Sequence, residues 1–82
     1  MTVVTLYTRP GCHLCDEARE ALLALRSELP PFELCEVDIE TDPTLHARYL
    51  ERIPVVEVGG EEVSELAFDP RPLLARIGTV RP

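Results

Sequence analysis

The run Val3-Val4-Thr5-Leu6-Tyr7-Thr8, with a helical pattern and a second β run following it, restricts the fold more than any other feature. It is β-branched and aromatic with no polar alternation, which predicts a strand buried on both faces, as in a parallel sheet. Arg9-Pro10-Gly11 breaks the run. Ala18, Ala21, Leu22, Leu25 and Leu29 then recur at three- and four-residue spacing, which predicts an amphipathic helix over Cys15 to Leu29, stopped by Pro30-Pro31. Phe32 to Ile39 reads as a second strand. A helical connection of about 15 residues between two strands is the length of a right-handed βαβ unit.

The remainder is punctuated clearly. Asp42 is an N-cap with Pro43 at the first helical position, and Leu45 and Tyr49 mark the inner face of that helix. Ile53-Pro54 ends it and leads into a strand, Val55 to Val58. Gly59-Gly60 predicts a tight hairpin turn into Glu61 to Leu66. Asp69-Pro70 repeats the cap-and-proline start, with Leu73, Leu74 and Ile77 behind it and Gly78 as the stop. The order β-α-β-α-β-β-α describes an α/β domain, residues 1–82, with a four-stranded mixed sheet flanked by three helices.

Composition narrows the function classes. At 82 residues with a net charge of −7, the chain is one small domain ill suited to nucleic acid or anionic membranes. It has no charged-then-apolar leader and no apolar run near the ~18 residues a span needs, so it is expected to be cytoplasmic. Three cysteines do not make a secreted disulfide framework, so their chemistry points to catalysis or metal binding.

Cys12 and Cys15 lie two residues apart where strand gives way to helix. A cysteine at a helix N-terminus gains thiolate character from the unpaired N–H groups and the dipole, and a second cysteine one turn later can resolve a mixed disulfide. Gly11 lets the chain turn sharply before them. Asp16 and Glu17 fall in the first helical turn. Two other readings stand beside this one. A structural zinc site wants four ligands, usually two such pairs, with Cys35, His13 and His46 as spare candidates. Two inert buried thiols are the third reading.

The segment "YTRPGCHLC", with "IP" at Ile53-Pro54 and a hairpin after it, resembles glutaredoxin, in particular the small glutaredoxin-like proteins that carry this type of segment. The resemblance runs from Val3 to about Ile77 and implies a thioredoxin fold. It also implies thiol–disulfide exchange, with Cys12 as nucleophile, Cys15 resolving, and a Cys12–Cys15 disulfide in the oxidised form. By the same resemblance Pro54 is cis, turning the Ile53 backbone toward a bound peptide or glutathione, and Arg9 matches a basic position that helps hold the glutathione carboxylate. The implied partners are protein disulfides or glutathione, the latter as co-substrate, with no tightly bound cofactor, no metal, and a monomeric protein.

The departures fall on the partner. The Gly-Gly and paired acids that grip glutathione in glutaredoxins are absent from "SELAFDP", and Gly59-Gly60 belongs to the hairpin turn instead. Leu14 replaces the aromatic before the second cysteine. Thioredoxin fits less well: its tryptophan and Gly-Pro insert are missing, and Leu6 stands where it holds a buried acid. His13, between the cysteines, could stabilise the Cys12 thiolate. Tyr7 and Cys35 are expected to pack in the core, His46 to be solvated, and Glu57, Glu61, Glu62 and Glu65 to keep a sheet edge charged.

Overall fold

Seven elements build the chain in the computed structural model, which describes residues 2–28 and 31–77. They are strand β1 (Thr2–Thr8), helix α1 (His13–Leu25), strand β2 (Phe32–Asp38), helix α2 (Pro43–Tyr49), strands β3 (Val55–Val58) and β4 (Glu61–Glu65), and helix α3 (Pro70–Ile77). The strand order is β2-β1-β3-β4, with β1 parallel to β2 and antiparallel to β3, and β3 antiparallel to β4. This is the expected mixed sheet with three helices. A 3-10 turn over Ile39–Thr41, capped by Asp38, begins at the residue expected to end the second strand.

The two sheet faces differ in how fully they are covered. On one, Val4, Leu6, Phe32, Val56 and Val58 meet Ala18 and Leu22 of α1 and Leu73 and Ile77 of α3. On the other, α2 supplies only seven residues. It brings Tyr49 into a second cluster with Cys15, Ile39, Ile53 and Val55, against which Tyr7, Cys12, Leu45 and Leu50 pack. The cover therefore lies at the carboxyl end of β1, where the cysteines are.

That asymmetry corrects two expectations. β1 is not buried on both faces: Val4, Leu6 and Thr8 are buried, Thr2, Thr5 and Tyr7 are half-buried, and Val3 is exposed. Cys35 is exposed rather than packed. It shares the thinly covered face with Thr5, its partner in register, and β2 is an edge strand.

The local signals act as their chemistry dictates. Asp42 Oδ1 accepts the Thr44 N–H at 2.8 Å, and Asp69 Oδ1 accepts that of Arg71 at 3.0 Å, so both acid-proline pairs start helices. Gly59 and Gly60 have φ of 60° and 88°, the pair of left-handed residues that a two-residue hairpin of this twist requires. Helix α1 is shorter than its periodicity suggests, ending at Leu25 with Arg26 as C-cap. Leu29, Pro30 and Gly78 lie outside the described residues.

Candidate active site

The site grows from the junction of β1 and α1. Gly11 takes a φ of 80°, and a Cβ there would meet nothing within 4 Å, so backbone conformation alone accounts for the glycine. The turn delivers Cys12 as the N-cap of α1 in an extended conformation, where its Sγ accepts the Cys15 N–H at 3.1 Å. Ser, Thr, Asp or Asn would usually make this bond through oxygen. Here a sulfur takes the place of the capping oxygen, at the positive end of the helix dipole.

Cys15 lies one turn in and is fully buried, while Cys12 is half-buried. The two are joined as a disulfide with a Cα separation of 5.2 Å, well inside the range such a bond needs. The pair is thus asymmetric: half-buried Cys12 sits at the helix terminus, and fully buried Cys15 is enclosed with Ile39, Tyr49, Ile53 and Val55.

The Ile53–Pro54 peptide bond is cis. Pro54 is fully buried and Ile53 packs in the same apolar cluster as both cysteines, so residues almost forty positions apart meet at one end of the sheet. The Ile53 N–H donates to the Tyr49 carbonyl at 3.0 Å, so that donor is engaged within the chain.

Arg9 and His13 are engaged elsewhere. Arg9 Nη2 lies 3.0 Å from Glu40 Oε2, and the 86 % exposed His13 side chain sets Nε2 3.0 Å from Glu17 Oε2, one helical turn on. Among the described residues no group of three or more His, Cys, Asp or Glu is placed to hold a metal ion. No described helix is long and apolar enough to cross a membrane.

Beneath the cysteines lies a polar cluster that the sequence reading missed. Glu57 is on β3, between β1 and β4, and not on an edge. Its two carboxylate oxygens accept the hydroxyls of Tyr7 at 3.3 Å and Tyr49 at 3.2 Å, whose rings stack with centroids 4.4 Å apart. Tyr7 is therefore half-buried and hydrogen-bonded rather than simply packed. Burial first, and the Glu57 charge second, push its hydroxyl up to about 12 and raise that of Tyr49 as well. The signal was present in "VVEV": a single acid inside an apolar strand needs a partner. Glu61, Glu62 and Glu65 do lie on the edge strand, where Arg76 holds Glu61 and Arg52 holds both Glu62 and Glu65.

Residues 3–78 match the family described as glutaredoxin-like domain (DUF836). The chain belongs to this family. It is 37 % identical to an uncharacterised protein of Mycobacterium tuberculosis, with 90 % of this chain and 80 % of the relative aligned. The solution structure of protein Ne2328 from Nitrosomonas europaea superposes with a TM-score of 0.84 at 28 % identity, covering 94 % of this chain and 92 % of that one. A thioredoxin from Halobacterium salinarum superposes at 0.66 with 18 % identity over 99 % of this chain and 78 % of its own, which makes the architecture a thioredoxin fold. A glutaredoxin-like domain with this fold and with two cysteines at disulfide distance is compatible with redox chemistry.

Proposed function

We propose that the protein is a cytoplasmic, monomeric thiol–disulfide oxidoreductase that reduces disulfides of protein partners. The observation that carries this reading is the placement of Cys12: its sulfur caps a helix and the residue is half-buried, while Cys15 is fully buried one turn away. A thiolate at Cys12 gains from the Cys15 N–H and the dipole.

In the reduced protein, the Cys12 thiolate attacks one sulfur of a substrate disulfide. A Cys12–substrate disulfide forms, and the other substrate sulfur leaves as a thiolate that takes a proton. Cys15, as thiolate, then attacks Cys12 Sγ. The second substrate thiolate is released and protonated, and the Cys12–Cys15 disulfide remains, so two electrons have passed to the substrate. Pro54, buried, would hold through its cis bond the Ile53 backbone along which the substrate chain lies. An external dithiol, or two glutathione molecules oxidised to their disulfide, would reset the pair.

Glutathione is the less favoured reductant on two counts. Arg9 would meet its carboxylate only in competition with Glu40. At the start of α3, where glutaredoxins place their acidic grip, Asp69 is clamped by Arg71.

The test is a Cys15→Ser variant, which can complete the first step and not the second. Incubation with a peptide disulfide should accumulate a mixed disulfide on Cys12, seen as one added peptide mass that dithiothreitol removes. Adduct formation on Cys35 in place of Cys12 would refute the assignment.

A further inference from the structure

Helix α2 has a single deep anchor. It is seven residues long, and Tyr49, its last, is the one residue of the helix that is buried. The ring stacks on Tyr7 of β1 with the planes 20° apart, and the hydroxyl donates to Glu57 Oε2 of β3 at 3.2 Å. The main chain of Tyr49 in turn carries the segment that follows. Its carbonyl accepts the Arg52 N–H at 2.8 Å and the Ile53 N–H at 3.0 Å, and the Arg52 guanidinium lies 5.4 Å from its ring centroid. Glu51, Arg52 and Ile53 are all that separate the C-cap, Leu50, from Pro54.

The two tyrosines that share Glu57 differ in what they hold. Tyr7 donates to Oε1 at 3.3 Å, nearly the same bond, but its backbone is already fixed between Val37 of β2 and Val55 of β3. Loss of its hydroxyl leaves β1 where it is. Tyr49 ends a helix that no ladder fixes, so its side chain sets the position of its own carbonyl. Glu57 thereby anchors the last turn of α2, and that turn anchors Ile53, which packs in the same cluster as Cys12 and Cys15. A second tie, from the Leu66 N–H to the Arg52 carbonyl at 2.9 Å, keeps the segment at the end of β4.

Resting on the redox reading above, we infer that Tyr49 is a positioning residue for disulfide exchange: its hydroxyl, held by Glu57, fixes the Ile53 backbone for an incoming protein chain. The segment is set before the partner arrives, so binding does not have to order it. Tyr49 acts through Ile53 and touches no substrate atom. The bonds formed and broken are those of the exchange already described. A small disulfide, with no chain to lay beside Ile53, does not depend on Tyr49.

The experiment compares Tyr49→Phe with Tyr7→Phe, each of which removes one hydroxyl and one bond to Glu57. Reduced protein is mixed with rising concentrations of a peptide disulfide-bonded to a chromophoric thiol, and separately with a small aromatic disulfide. Tyr49→Phe should raise the half-saturating peptide concentration about fivefold, the factor of one ordinary hydrogen bond, with the limiting rate unchanged. Its rate with the small disulfide should equal that of the wild type. Tyr7→Phe should match the wild type with both, while the melting temperatures of the two variants fall alike. A difference in peptide binding is then not a difference in stability. An equal rise in both variants, no rise in Tyr49→Phe, or an equal loss with the small disulfide overturns this inference alone. Exchange of the wild type with neither disulfide overturns it together with the redox reading.

Discussion

Replacing Glu57 probes the polar cluster beneath the cysteines. Glu57→Ala removes the acceptor of two tyrosine hydroxyls, one on the half-buried Tyr7 and one on Tyr49, which is only 3 % exposed. Both bonds are on the long side, at 3.3 and 3.2 Å, so each belongs at the weak end of charge-assisted hydrogen bonding. At about 1 kcal/mol each, the loss is about 2 kcal/mol, which lowers the melting temperature of so small a domain by roughly 10 °C.

Glu57→Gln keeps an acceptor and removes the charge, and it isolates the electrostatic part. The chain has two tyrosines and no tryptophan, so absorbance at 295 nm reports Tyr7 and Tyr49 alone. In the wild type Tyr7 is held up to about 12, against 10.0 for a free tyrosine. Below pH 10 the hydroxyl is protonated in both folded and unfolded chains, and the stabilisation is fully present. Between pH 10 and 12 the unfolded chain ionises first, so stability falls as pH rises, by roughly 1–2 kcal/mol once solvent screening of a half-buried group is allowed for. Glu57→Gln should shift tyrosine ionisation to lower pH. An unchanged urea midpoint in Glu57→Ala, with an unchanged titration in Glu57→Gln, would refute the cluster.

Two further predictions concern the packing around the site. Leu22 is fully buried between α1 and the sheet, and Leu22→Ala should cost about 3 kcal/mol by urea unfolding. Thr8 is 7 % exposed at the end of β1, and its Oγ1 finds no partner among the described residues, so Thr8→Val should raise stability by up to about 1 kcal/mol. A urea midpoint below that of the wild type would show that the hydroxyl is satisfied in solution.

How far the sequence could be read depended on how local each determinant is. Asp42-Pro43, Asp69-Pro70 and Gly59-Gly60 act through their own backbone, and each does in the structure what its chemistry implies. The order of elements followed from them and from the apolar periodicities. The cis bond at Ile53–Pro54 came from resemblance, since proline after a helix is also an ordinary strand start.

What escaped the reading depends on tertiary contact. Cys35 is exposed because α2 is too short to cover that part of the sheet, which no property of "FELCEVDI" reveals. Glu57 looked like an edge residue until the strand order placed β3 inside and turned two tyrosines toward it. Leu66 reads as the last apolar residue of a strand, and only its φ shows otherwise. The Cys pair was legible as chemistry, while the asymmetry between its two sulfurs needed the packing of Ile39, Tyr49, Ile53 and Val55.

The most direct test of the account is competitive alkylation of the reduced protein at mildly acidic pH, with Cys12 and Cys35 followed separately by mass spectrometry. Cys35 is exposed and Cys12 only half-buried, so faster labelling of Cys12 reports thiolate character and not access. One N–H bond to a thiolate, at about 1.5 kcal/mol, corresponds to roughly tenfold, and the helix dipole adds to it. A lower pKa also weakens the nucleophile, so Cys12 should react about fivefold faster than Cys35. Equal rates, or faster labelling of Cys35, would contradict the assignment of Cys12 as the nucleophile.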